Sequence, residues 1–106
     1  MKKSIRDKNM DKLFEAILAL ETLDECYALF SDLCTVNELF ALKQRFLVAR
    51  MLADGMIYSE IVEKTGVSTA TISRINRCLN YGDGYVTALD RIIEKKIESK
   101  RQKKEE

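Results

Sequence analysis

An all-α fold is the architecture this sequence predicts, and three observations predict it. The 106 residues contain no proline and only four glycines, so few positions interrupt a helix. Apolar residues recur at spacings of three and four in successive segments. No stretch sustains the alternation of β-branched or aromatic residues with polar ones that marks a strand. A composition of 46% hydrophobic and 33% charged residues describes a globular chain rather than a disordered one. Its length suits a single domain over residues 1–106.

The first helix is expected over residues 9–21, where Leu13, Phe14, Ile17, Leu18 and Leu20 fall at helical spacing. Residues 22–34, TLDECYALFSDLC, form the second, with Leu23, Tyr27, Leu29, Phe30 and Leu33 apolar. Asp24 suits either its N-cap or its first turn.

The third helix reads TVNELFALKQRFLVARMLADG over residues 35–55. Thr35 and Glu38 have the spacing of a capping box, and Gly55 is a natural stop. At about 100° per residue its apolar side chains form no single stripe. Val36, Phe40 and Leu47 share one side, Leu39, Leu42 and Phe46 another, and Val48 and Leu52 a third. So small a chain can hardly cover such a helix. An interlocked homodimer would cover it; a monomer with this helix at its centre is the alternative.

A short helix follows from about Tyr58 to Lys64, and Gly66 breaks it. Ser68 or Thr69 can cap the next, which is expected to run to about Asn80. NYGDGY reads as a loop in which Gly82 and Gly84 allow positive φ. A last helix begins near Tyr85, with Val86, Leu89, Ile93 and Ile97 as its stripe and Ile92 beside it. From about Glu98 the tail is polar and basic and is expected to fray.

Several function classes are excluded by composition. The chain has no histidine and three cysteines without CxxC spacing, Cys26, Cys34 and Cys78. A zinc site or a histidine-based triad therefore lacks its ligands or base, and no metal or cofactor is expected. There is no glycine-rich phosphate loop and no convincing carboxylate pair, so an enzyme is not expected. No leader or membrane-length apolar run is visible, and free thiols suit a reducing cytoplasm.

Net charge is only +1, but its distribution is uneven. Lys2, Lys3, Arg6 and Lys8 crowd one end. Lys95, Lys96, Lys100, Arg101, Lys103 and Lys104 crowd the other. Two readings are open: solvated termini, or arms that touch phosphates.

The most informative stretch is EKTGVSTATISRINRCL, Glu63 to Leu79. A tight turn between steeply crossing helices needs a residue tolerant of positive φ, which Gly66 supplies. Ile61, Val67, Ile72 and Ile75 sit at the offsets such a helix-turn-helix must bury. Two positions fit less well: Val62 stands where a small residue eases helix crossing, and Thr65 where an apolar one is usual.

The opposite face carries Ser68, Thr69, Ala70, Thr71, Ser73, Arg74, Asn76 and Arg77. Small side chains let a helix enter the major groove closely. Hydroxyls can bond base edges or phosphates, and arginines can reach phosphate or guanine. In a chain with 17 Asp and Glu, none stands between Glu63 and Asp83. A capping serine and solvated arginines would be the plainer account, but glycine, isoleucine spacing and acid-free face coincide.

On these residues the sequence resembles the Trp-repressor superfamily, and within it the YerC/YecD group. LCTVNELFALKQRFLVARMLADG followed by SEIVEKTGVSTATISRINRCLN is similar to that family's central helix and reader, with one residue fewer between Gly55 and Gly66. The resemblance spans roughly residues 10–97. It implies an intertwined all-helical homodimer that binds palindromic double-stranded operator DNA. It also implies that Tyr58 and Ser59, then Thr69, Ala70 and Ser73, contact DNA.

The family's tryptophan pocket uses two arginines, matched by Arg45 and Arg74. The glycine that leaves room for the ligand is replaced by Ile75. The serine that meets the ligand's amino group is replaced by Cys78, a weaker hydrogen-bonding partner. The resulting expectation is a DNA-binding repressor without tryptophan control. The alternative is a helical protein-interaction or scaffold module without specific DNA binding.

Overall fold

A computed structural model describes residues 4–105; Lys2 and Lys3, two of the basic N-terminal residues, lie outside the described part. Among the described residues there are six helices and no strand: α1 (Lys8–Leu18), α2 (Leu23–Leu33), α3 (Val36–Ala53), α4 (Tyr58–Thr65), α5 (Thr69–Tyr81) and α6 (Gly84–Glu105). The chain divides into two compact units, residues 1–39 and residues 40–106.

In the first unit, the Asp7 side chain caps α1 by accepting the Met10 N–H at 2.7 Å. The helix closes before Glu21, where the apolar periodicity runs out. Ala19 N–H reaches the Ala16 carbonyl at 3.2 Å and Leu20 N–H the Ile17 carbonyl at 3.2 Å, a tightened last turn. Thr22 caps α2, its Oγ1 accepting the Glu25 N–H at 3.1 Å. Asp24 is thus a first-turn acid and not the cap.

The Thr35–Glu38 capping box forms reciprocally. Thr35 N–H donates to Glu38 Oε1 at 2.9 Å, and Glu38 N–H donates to Thr35 Oγ1 at 3.1 Å. Hydrogen bonding to the carboxylate, from the Thr35 N–H first and then from the Thr35 side chain, holds the Glu38 carboxyl below its usual pKa of 4.5.

The second unit holds the core. Val48 and Ala49 of α3, Ile61 of α4 and Ile72 of α5 are 0% exposed, and Ile75 is 4% exposed. Met51, Leu52, Met56, Tyr58, Val62, Val67 and Tyr85 pack around them. α3 ends in a Schellman motif on Gly55, which has φ +87°. Met56 N–H reaches the Met51 carbonyl and Gly55 N–H the Leu52 carbonyl, each at 3.0 Å. Phe40, Leu42 and Leu47 of the same helix stay exposed, so its apolar circumference is covered on one side only.

The expected NYGDGY loop is shorter than its composition suggests, because α5 continues to Tyr81 and α6 begins at Gly84. Gly82 does not take positive φ; it lies at φ −102°. Its need for glycine is spatial: a Cβ there would stand 2.8 Å from the Cys78 carbonyl oxygen.

The helix α6 also does not end near Glu98. It continues to Glu105 because ESKRQKKE contains strong helix formers and no breaker, and Lys103 and Lys104 oppose the dipole's negative end. α3 and α6 run in the same direction. The rings of Phe46 and Tyr85 lie 6.4 Å apart. Further along both helices, Arg50, Ala53 and Asp54 share a small cavity of about 90 Å³ with Leu89, Ile92, Ile93 and Lys96.

Candidate nucleic-acid interface

The turn between α4 and α5 sets the geometry. Gly66 adopts the left-handed conformation, φ +73°, and its N–H returns to the Val62 carbonyl at 2.8 Å. A residue with a Cβ would be strained there. After the turn, Ser68 is extended and its Oγ accepts the Thr71 N–H at 3.2 Å, which starts α5. The choice between Ser68 and Thr69 as cap thus falls to Ser68.

Thr65 occupies a position expected to be apolar, and the structure gives it a task. Its hydroxyl donates to the Ile61 carbonyl at 2.6 Å and accepts the Val67 N–H at 3.1 Å. Gln44 of α3 donates from Nε2 to the Thr65 carbonyl at 3.3 Å. A half-buried turn has polar groups to satisfy, and the threonine and glutamine satisfy them. Val62, also an unexpected residue, is half-buried and packs against the core.

With Ile61, Ile72 and Ile75 turned inward, the remaining face of α5 points outward. Thr69, Ala70, Ser73, Arg74 and Arg77 are exposed, as is Ser59 on α4. Thr69, Ser73 and Arg77 follow one another at intervals of four along the helix, beside Ala70 and Arg74. The other sequence candidates are placed differently. Thr71 and Asn76 are half-buried, and so is Tyr58, whose ring packs against the core. Ser68 is exposed, but its hydroxyl donates to Thr71 Oγ1 at 3.0 Å as well as capping the helix.

The surface from Lys64 to Gly82 carries Lys64, Arg74 and Arg77 and no carboxylate. It combines small side chains, hydroxyl donors and fixed positive charge, the chemistry that fits a groove lined by phosphates. Sequence reasoning passed over the Thr65 hydroxyl. Its signal was present as a threonine four residues after Ile61 at a helix end, the back-bonding arrangement.

The two arginines matched to a ligand clamp, Arg45 and Arg74, are both exposed. An open depression of about 360 Å³ beside Cys78 is lined by Phe46, Gly82, Gly84, Tyr85 and Ala88 and by neither arginine. Ile75 lies in the core.

The model of the Trp repressor protein family matches residues 8–93. The chain belongs to the Trp repressor family. YerC of Bacillus subtilis (strain 168), an uncharacterized protein, is 56% identical over 96 residues, 90% of this chain and 92% of YerC.

Two solved structures are similar in fold and sequence. A candidate Trp repressor from Staphylococcus aureus superposes with a TM-score of 0.78 at 49% identity, covering 83% of this chain and 89% of that one. A TrpR-like protein from Eubacterium eligens ATCC 27750 gives a TM-score of 0.78 at 52% identity, covering 83% and 92%. Membership of this family points to a DNA-binding regulator rather than an enzyme. Among the described residues, no helix is long and apolar enough to cross a membrane.

Proposed function

We propose that this protein is a sequence-specific DNA-binding regulator, a cytoplasmic repressor that occupies a palindromic operator as a homodimer. In this reading residues 1–106 act as one DNA-binding domain. The observation that carries it is the acid-free outer face of α5, aimed by the left-handed Gly66 and anchored by Ile72 and Ile75. Thr69, Ala70 and Ser73 read base edges in the major groove. Ser59, Arg74 and Arg77 position the helix on phosphates, with Tyr58, Ser68, Thr71 and Asn76 supporting from the margins.

Dimerisation is supported by surplus apolar surface. Phe14, Leu18, Leu23 and Tyr27 are between 47% and 83% exposed, and Val36 and Phe40 are 65% and 55% exposed. Exposed apolar surface of this extent calls for a partner, and a second copy is the one the family supplies. Two-fold symmetry then places half-sites about 34 Å apart.

Tryptophan is not the controlling ligand in this reading. Ile75 takes the place of the glycine that gives the ligand room, and its side chain belongs to the core. Saturable micromolar tryptophan binding in a calorimeter would overturn that part.

Selection of binding sites from random duplexes tests the whole. A palindromic consensus, bound with steep salt dependence, is the expected result. If every duplex binds at the non-specific level, the scaffold alternative takes its place.

A further inference from the structure

The helix α6 continues for twelve residues past Ile93, where the match to the family model ends. This extension carries Lys95, Lys96, Lys100, Arg101, Lys103 and Lys104, and each of them is exposed. They are held on a helix, so their directions are fixed relative to one another.

At about 100° per residue, Lys96, Lys100 and Lys103 fall within an arc of about 60°, with Lys104 at its edge. This arc continues the line of Leu89 and Ile93. Glu94 and Glu98 lie on the far side, each about 160° from Lys96. Arg101 falls on that far side too, about 20° from Glu94. Lys96, Lys100 and Lys103 therefore share a face that carries neither Glu94 nor Glu98.

The position of this face follows from the parallel course of α3 and α6. Lys96 shares a cavity with Ala53 and Asp54, at the end of α3. Residues 97–105 therefore project past that end, by about 13 Å at the helical rise of 1.5 Å per residue. The chain leaving α3 there turns on Gly55 and starts α4 at Tyr58. The basic turns of α6 thus point to the side of the unit on which the reader begins.

We infer that Lys96, Lys100, Lys103 and Lys104 form a second DNA contact, a basic ridge that neutralises backbone phosphates beside the site read by α4 and α5. The inference rests on the DNA-binding reading above. The ridge contributes affinity and carries no sequence information, because point charges on long flexible stems meet phosphates and not base edges.

The test compares the full chain with Lys100→Gln, Lys103→Gln and Lys104→Gln combined. Glutamine keeps helix propensity while removing charge, and circular dichroism checks that the helix persists. Affinity for the selected duplex and for a random duplex is measured from low to high salt. The expected result is a salt slope shallower by about 0.9 for each phosphate no longer neutralised, up to about 2.7. Affinity falls equally on both duplexes, and cleavage protection recedes at the flanks. An unchanged slope with DNA binding intact overturns the ridge alone. A loss confined to the selected duplex also overturns it, by making the segment a reader. Absence of binding to any duplex by the unaltered chain overturns the regulator reading and the ridge with it.

Discussion

The Thr65 hydroxyl donates to the Ile61 carbonyl at 2.6 Å, one helical turn back at the end of α4. The same oxygen accepts the Val67 N–H across the Gly66 turn. One side chain therefore fastens the end of α4 to the start of the approach to α5. Thr65→Val preserves shape and leaves the half-buried Val67 N–H without its partner. A loss of about 1–2 kcal/mol is expected. It is measured as a lower urea midpoint at unchanged slope and fixed protein concentration. An unchanged midpoint would mean that water replaces the hydroxyl without cost.

Gly66→Ala isolates backbone conformation from packing. A Cβ built at Gly66 meets nothing within 4 Å, so no clash contributes. Only the left-handed φ of +73° does. Alanine should cost about 1–2 kcal/mol, and asparagine, which tolerates that region, should cost less. Equal losses for the two substitutions would point to something other than φ.

Ile72→Ala acts through the core. Ile72 is 0% exposed, so truncation leaves a cavity beneath α5. A destabilisation of about 2–5 kcal/mol is expected from chemical unfolding. A value below about 1 kcal/mol would mean that α5 collapses onto α4 and fills the space.

Thr69→Val addresses recognition. Thr69 is exposed and takes no part in the cap formed by Ser68. The substitution should alter preference at one base position per half-site, on the order of 1 kcal/mol of discrimination. Random duplexes should bind as before. Equal losses on selected and random DNA would remove Thr69 from direct readout.

Glu38 supplies a pH dependence with a defined sign. Its folded pKa lies below the usual 4.5. The native state thus binds fewer protons there than the unfolded one. The contribution is complete above the unfolded pKa and is lost as pH falls through the folded value. Glu38→Gln keeps an oxygen for the Thr35 N–H and cannot titrate. The advantage of the unaltered protein over this variant should shrink as pH drops below the usual 4.5. An advantage that persists undiminished in acid would assign the effect to something other than this carboxylate.

The sequence was legible wherever a local rule acts without competition. Helix spans followed from apolar spacing. The capping box needed only Thr35 and Glu38, and the turn needed Gly66. It was less legible where two local solutions compete or where an interaction is tertiary. Asp24 was read as cap or first-turn acid of α2, and Thr22, two residues earlier, took the cap. Gly82 resembled a turn glycine, but the Cys78 carbonyl, not φ, excludes a side chain there. Helix propensity carried α6 past the end of its apolar stripe.

The outer face of α5 was readable as a set but not residue by residue. Spacing cannot tell that Asn76 and Thr71 sink halfway while Thr69 and Ser73 stay out. Nor can it tell that the Gln44 side chain reaches from α3 to the Thr65 carbonyl.

The hydroxyl pair of Ser68 and Thr71 has a consequence for how such a reader can change over generations. The cap fixes 68 and 71, and the core fixes 72 and 75. Of the exposed positions on the first turns of α5, Thr69, Ala70 and Ser73 lie outside both sets, beside the charged Arg74. Substitutions at these three exposed sites leave cap and core untouched. A gene encoding this helix could therefore drift to a new target vocabulary through folded intermediates, with each step altering what is bound while the scaffold persists.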